Sequence, residues 1–267
     1  MSGSSGYGVR VARHAGKFGA DIVRDPSRLL VPNRQTGSSL RHIFGGLSGA
    51  GLVRSRIALE VRLGDLSPGE RLTDAGVISQ ALDVSEITVR RALETMGQDG
   101  LLERRRGRAG GTFIAQRWDA AAATVQDDQQ AAQLVDFQTV LECGLVAISC
   151  AELDPDDLAP LRECVQSAEA GVDADSLALA DAHFHLALAT VLGDWRARER
   201  QADLLGMLCL LLARPPLEVA RQQNHAHARL LAGLESRSVQ VAVGAIRLHA
   251  GYWPATDRSQ PLAAVQG

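Results

Sequence analysis

Residues 54–115 read RSRIALEVRLGDLSPGERLTDAGVISQALDVSEITVRRALETMGQDGLLERRRGRAGGTFIA, and this stretch decides the fold of the first half of the chain. A helix over about Leu47–Leu63 is predicted from Leu52, Ile57, Leu59, Val61 and Leu63, set among arginines and stopped by Gly64. Leu66-Ser67-Pro68-Gly69 makes a turn, because proline fixes φ and glycine tolerates a positive one. Thr73 or Asp74 can cap a second helix with Val77, Ile78, Ala81 and Leu82 on one apolar stripe. After a break at Asp83-Val84, Ser85 caps a third helix that ends at Gly100. Its inward residues are Val89, Ala92, Leu93 and Met96, and its outward face carries Glu86, Thr88, Arg90 and Arg91. Leu101–Arg104 and Thr112–Ala115 can then pair as two short strands around Gly107, Gly110 and Gly111. Three helices followed by an arginine-tipped hairpin form a winged helix-turn-helix, a shape suited to double-stranded DNA. The DNA-facing set is Thr88, Arg90 and Arg91 on the third helix, with Arg105, Arg106, Arg108 and Gly110 in the wing.

Working outward, the 267-residue chain has room for roughly two domains. It is 46% hydrophobic, 22% charged and 4% aromatic, a globular composition that leans toward helix. The net charge of −3 is unevenly spread. Residues 1–50 hold 7 Lys and Arg against 2 Asp and Glu, residues 51–117 hold 11 against 9, and residues 118–267 hold 10 against 20. Only the front half is therefore suited to a polyanion. Residues 1–45, rich in Gly, Ser and Arg, read as a flexible basic extension with an isolated helical stretch around Val11–Val23. Cys143, Cys150, Cys164 and Cys209 fall at no disulfide or zinc-finger spacing, which fits a reducing compartment. No apolar run reaches the roughly 18 residues of a membrane span, and the start lacks a signal-peptide layout. The expectation is a cytoplasmic protein with no membrane contact. The predicted organisation is an extension at 1–45, the winged domain at 46–117, an all-helical domain at 118–255 and a tail at 256–267.

The second half reads as six or seven helices. Leu134, Phe137, Leu141, Leu145 and Ile148 recur at helical spacing, and Pro155, Gly171, Gly193 and Pro215-Pro216 divide the remainder into segments. In the helix predicted over Ala174–Val191, the stripe is Leu177, Asp181, Phe184, Leu188 and Val191, with His185 one turn after the aspartate. In Val219–Leu234 the stripe begins at His227, and in Val239–His249 it ends at His249. Each of these polar groups, buried alone, costs a few kcal/mol, roughly. If the four converge, one divalent metal removes that cost, since Asp and His at i, i+4 share a helix face. Histidines satisfied separately in the core are the plainer alternative. His183 and His225 lie nearer the polar sides.

Residues 54–115 resemble the winged helix-turn-helix domain of the GntR superfamily of bacterial transcription regulators. The likeness is carried by Leu66 to Leu72, Val84-Ser85, Val89-Arg90, Ala92-Leu93, Gly100-Leu101-Leu102 and Gly110 to Phe113. It implies that Arg90 contacts DNA. Where the family usually has arginine after the Val-Ser pair, this chain has Glu86, which moves base preference toward Thr88, Arg90 and Arg91. The C-terminal half is similar to the all-helical FCD domain of the FadR subfamily, with its Asp-x3-His pair and two later histidines 22 apart. That resemblance implies metal ligation by Asp181, His185, His227 and His249, with Zn, Ni or Mn as the ion. It also implies a small carboxylate effector on open coordination positions, with the first helix of the domain nearby. There Gln138 stands where the family often has arginine, so a bidentate carboxylate partner is missing.

The resemblance thus implies a homodimeric DNA-binding regulator whose operator affinity an effector shifts by about 1–3 kcal/mol. A metal-dependent hydrolase with an accessory DNA-binding head is the alternative from a different class. A regulator with a purely structural metal or polar core is the third reading.

Overall fold

The computed structural model of the protein describes residues 47–253, apart from Ala109 and Asp194. The basic extension, its helical stretch and the C-terminal tail lie outside these residues. Helix α1 (Gly49–Leu63) begins where the Ser48 hydroxyl accepts from the Gly51 amide, and it stops at Gly64, whose φ of 81° is left-handed. Helix α2 (Ala75–Leu82) follows the Pro68-Gly69 turn. Helix α3 (Glu86–Gln98) starts as the sequence predicts, with the Ser85 side chain accepting from the Thr88 amide at 3.1 Å. Strands β1 (Leu102–Arg105) and β2 (Gly111–Ile114) pair antiparallel, placing Leu102 opposite Ile114 and Arg105 opposite Gly111. The turn segment adds to this wing, because Leu72 donates to the Thr112 carbonyl and Ile114 donates to that of Glu70.

The second half contains seven α-helices among the described residues. They are α4 (Trp118–Ala122), α5 (Asp128–Ser149), α6 (Ala159–Ala170), α7 (Ala174–Leu192), α8 (Trp195–Leu211), α9 (Leu217–Glu235) and α10 (Val239–Ala250), with a 3-10 turn at Pro155–Leu158. Their main core gathers Val146, Leu161, Phe184, Leu188, Leu230 and Ile246 among others. At Gly233 an added Cβ would lie 2.6 Å from the Ala242 amide nitrogen, so α9 and α10 approach as closely as glycine permits. The mostly helical fold with a small two-stranded wing agrees with the sequence reading.

Two findings position the functional elements. First, α1 is buried on nearly every side, because α3 covers one flank and α8 the other. Leu210 of α8 lies in the same apolar cluster as Leu52, Ile57, Val89 and Met96 of the head. Second, α5 buries Ala131, Val135, Gln138, Glu142 and Val146, not the stripe of leucines legible in its sequence. Phe137, Val140 and Ile148 stay 47%, 67% and 71% exposed. The inward face of α5 is partly polar because His185 needs a carboxylate there. Its length and apolar composition alone would allow a membrane span, but Gln138 and Glu142 are buried within the helical domain.

Candidate metal centre and nucleic-acid interface

Helices α7, α9 and α10 bring Asp181, His185, His227 and His249 together, with one donor atom from each within 4.8 Å of the others. One helical turn separates Asp181 from His185, so both face the same point. Asp181 Oδ1 lies 3.8 Å from His185 Nε2, 3.8 Å from His227 Nε2 and 3.7 Å from His249 Nε2. The Nε2 atoms of His185 and His249 are 3.2 Å apart. Four donors around one ion with bonds of about 2.1 Å sit roughly 3.4 Å apart, so the set is spaced for a single divalent cation.

Tautomers sharpen the fit. The Nδ1 of His185 donates to Glu142 Oε1 at 2.6 Å, and the Nδ1 of His249 points at the Gln223 carbonyl at 3.4 Å. With the ring proton on Nδ1 in both, two Nε2 lone pairs face each other across 3.2 Å. They repel unless a cation, either a metal ion or a second proton on His185, lies between them. Asp181 Oδ1 and both ring nitrogens of His227 are buried with no hydrogen-bond partner. His227 is held by stacking on Phe184 at 4.0 Å and on His249 at 4.5 Å, which fixes its plane without using its nitrogens.

Burial works against charge on His185, but Glu142 and then Asp181 outweigh it and lift its pKa to about 9. Burial and the neighbouring imidazoles push His227 well below its usual value. His249 is also lowered, by burial first, despite the pull of Asp181. A group of three imidazoles and one carboxylate could ligate Zn, Ni or Mn through these four residues. His183, lowered by burial, and the exposed His225 stand outside the cluster.

The cluster borders a small cavity of about 50 Å³ that opens to solvent. Gln138, Gln223, Asn224 and Trp253 line it together with Arg62 of α1. Gln138 also donates to Glu142 at 3.3 Å, so it both faces the cavity and steadies the carboxylate behind His185.

On the head, Arg90 and Arg91 are exposed on α3. Arg90 donates through Nε and Nη2 to Glu86 one turn earlier. Thr88 is half-buried, its hydroxyl 2.8 Å from that of Ser85, and so is drawn into the helix cap. In the wing, the Arg105 guanidinium stacks 4.1 Å over the Phe113 ring and reaches Glu103. Arg106 and Arg108 at the tip are exposed, with no ion pair among the described residues. Gly110 serves the turn itself: its amide donates to Gly107, and a Cβ there would lie 2.6 Å from the Arg105 carbonyl oxygen.

Comparison with known families places both halves. The family model described as "Bacterial regulatory proteins, gntR family" matches residues 51–114, and the FCD domain model matches residues 133–251. The chain belongs to the GntR family and carries an FCD domain. Among curated proteins it is similar to the Uxu operon transcriptional regulator of Escherichia coli, 30% identical over 131 residues, covering 46% of this chain and 50% of the relative. It is also similar to the HTH-type transcriptional regulator LutR of Bacillus subtilis, 28% identical over 138 residues, covering 48% of this chain and 61% of the relative. The chain thus spans about half the length of the curated relatives it matches. Among solved structures, Escherichia coli McbR/YncC aligns with 77% of this chain and 94% of its own, at 19% identity and a TM-score of 0.44. The matched families and relatives are regulators, not enzymes, which sets the hydrolase reading aside.

Two residues of this GntR-family chain escaped the sequence reading. Glu142, bonded to His185 and to Gln201 Nε2 at 2.9 Å, is hidden in α5, where the apolar stripe of half-buried leucines with the exposed Phe137 and Ile148 gives the stronger pattern. Its seven-residue spacing from the Val135 and Ser149 positions on the helix gives no chemical cue. Arg62 belongs to the head, and only tertiary docking of α1 on α8 carries it to the cavity.

Proposed function

We propose that this protein is a cytoplasmic, homodimeric transcription regulator that binds operator DNA through its winged head. A small anionic effector at a divalent metal held by Asp181, His185, His227 and His249 sets its operator affinity. The observation that carries this reading is the placement of α1. It is at once the first helix of the head and a lining element of the cavity beside the metal cluster. A ligand entering there contacts both the sensing and the DNA-binding parts of one chain.

Recognition follows from the exposed arginines. Arg90 and Arg91 on α3 face the major groove, and Arg105, Arg106 and Arg108 in the wing reach phosphates or the adjacent minor groove. Glu86 holds Arg90 along the helix in the free protein, so binding requires that pair to open or to be read as a unit. Thr88 serves the cap first, and base preference falls mainly to the two arginines. The second copy docks on the outward face of α5, where Phe137, Val140 and Ile148 form an apolar stripe that the single chain leaves uncovered. The metal, when bound, supplies positive charge and open positions for oxygen ligands. Glu142 and Gln223 orient the imidazoles that hold it.

The test is salt-dependent binding to DNA from the chain's own upstream region. Arg90→Ala is expected to weaken binding about 10-fold and to reduce the salt slope by about one. Unchanged affinity and slope in Arg90→Ala would remove that residue from the interface.

A further inference from the structure

Arg62 occupies the last turn of α1, a helix of the DNA-binding head, yet its side chain lines the cavity that Asp181, His185 and His249 border. It forms no ion pair within 4 Å among the described residues. Cys209 of α8 is its nearest influence, with Asp181 and Asp119 acting on it from further off. Burial opposes its charge, but these neighbours more than compensate, and the group is a firm cation. Arg214 stands close enough for the two cations to repel, and it is already occupied by Asp119 and Asp175. Of these two arginines, Arg62 therefore keeps a fork of donors available to a guest.

The electrostatics of the cavity select that guest. A divalent ion is roughly balanced by Asp181 and by the buried Glu142 carboxylate behind His185, so Arg62 on the side of the head supplies the net positive charge. On the body side the counterpart position on α5 is Gln138, a neutral amide already committed to Glu142. A planar carboxylate matches a guanidinium fork, with two parallel N–H···O bonds. We propose that Arg62 is the carboxylate-reading residue of the effector site, so that a small organic anion bridges the metal cluster of the body and the first helix of the DNA-binding head. This rests on the reading of the cluster as a metal-dependent effector site.

The bridge gives a direct route to the operator-binding surface. One and a half turns before Arg62, Arg56 and Ser55 tie α1 to Glu199 and Asp203 of α8, and Gly206 lets the helices touch. A ligand held by Arg62 adds a second tie at the other end of the same helix. The apolar contact of Leu59 and Leu63 with Leu186 and Leu205 is then reinforced by a polar link, and the ligand acts on α1 without a chain of intermediate residues.

The test uses full-length, zinc-loaded protein titrated calorimetrically with acetate, malonate and citrate, and with malonamide as the neutral control. Wild-type protein is expected to bind at least one of the carboxylates and not malonamide. Arg62→Met should bind that carboxylate at least 10-fold more weakly with its zinc content unchanged, and Arg62→Lys should fall between the two. Hydrogen exchange over residues 49–63 should slow on adding the carboxylate in wild type and not in Arg62→Met. Equal carboxylate affinity in Arg62→Met and wild type would overturn the role of Arg62 and leave the effector site standing. Loss of zinc from Arg62→Met would overturn it as well, by making Arg62 a support of the cluster. No carboxylate binding to zinc-loaded wild type would remove the effector reading itself, and this bridge with it.

Discussion

Two buried polar constellations lie within this molecule, and they differ in what completes them. At the seam between head and body, Arg56 donates from Nε and Nη2 to Asp203 Oδ1 at 3.2 and 2.9 Å and from Nη2 to Glu199 Oε2 at 2.9 Å. Ser55 donates to the Asp203 carbonyl at 2.8 Å, and of the guanidinium nitrogens only Nη1 lacks a partner. Cation meets anion, and the chain supplies both. At the other constellation, Asp181 Oδ1 and the two nitrogens of His227 are buried with nothing to bond, and the Nε2 atoms of His185 and His249 converge to 3.2 Å. Polar groups of both kinds are costly to bury. A network closed by the chain itself holds parts together, whereas one left open by the chain marks a place for something the chain does not contain.

The largest effect that can break this contrast is metal removal. Wild-type protein is expected to carry one divalent ion per chain by elemental analysis. At a thousandfold excess over its dissociation constant that ion stabilises the fold by about 4 kcal/mol. His227→Ala should bind none and lose the stabilisation on adding zinc. Glu142→Gln should retain the site with affinity lowered about 10- to 100-fold, because only the support of His185 is altered. A chelated wild-type protein that melts where the zinc-treated one does would make the open constellation a mere polar core.

The seam gives the next effect. Arg56→Met removes the cation that bridges Glu199 and Asp203 while keeping most of the apolar stem. Asp203 is only 15% exposed and keeps only the longer 3.8 Å contact to Arg200, so its charge loses its two hydrogen bonds from Arg56. A loss of about 3 kcal/mol is expected in denaturant unfolding, with metal content unchanged. If the same variant lost its metal, the two constellations would not be separate units.

The same contrast explains what was legible in the sequence. The head was readable because each step has a local signal: the Pro68-Gly69 turn, the Ser85 cap and the glycines of the wing. The four cluster residues were readable because polar side chains interrupt apolar stripes on three helices. Their partners were not. Glu142 sits on the innermost face of α5 among Val135, Gln138 and Val146, while periodicity centres the core on the flanking half-buried leucines and the exposed Phe137 and Ile148. Periodicity reports apolar residues without distinguishing a buried face from an exposed one. Arg62, Arg56 and Asp203 meet only because α1 packs along α8, a contact across about 145 residues that no local pattern encodes.

The smallest expected effect concerns Glu60, one turn beyond Arg56 on α1. Its Oε1 is buried without a hydrogen-bond partner, so the seam is not perfectly closed. Burial first, and then the nearby Asp65, raise its pKa from 4.5 to about 7, against the opposing pull of Arg56. The folded state therefore keeps a proton that the unfolded chain releases above about pH 4.5. Stability should fall as pH climbs from about 4.5 to 7 and level off beyond it. Glu60→Gln removes that titration, so its advantage over wild type should be near zero at pH 4 and on the order of 2 kcal/mol at pH 8. Denaturant midpoints of both proteins at the two pH values provide the measurement. Parallel behaviour of the two would mean that Glu60 is solvated at the seam. A widening gap would show that even the closed constellation retains one titratable fault, placed on the helix that joins head to body and two residues from Arg62.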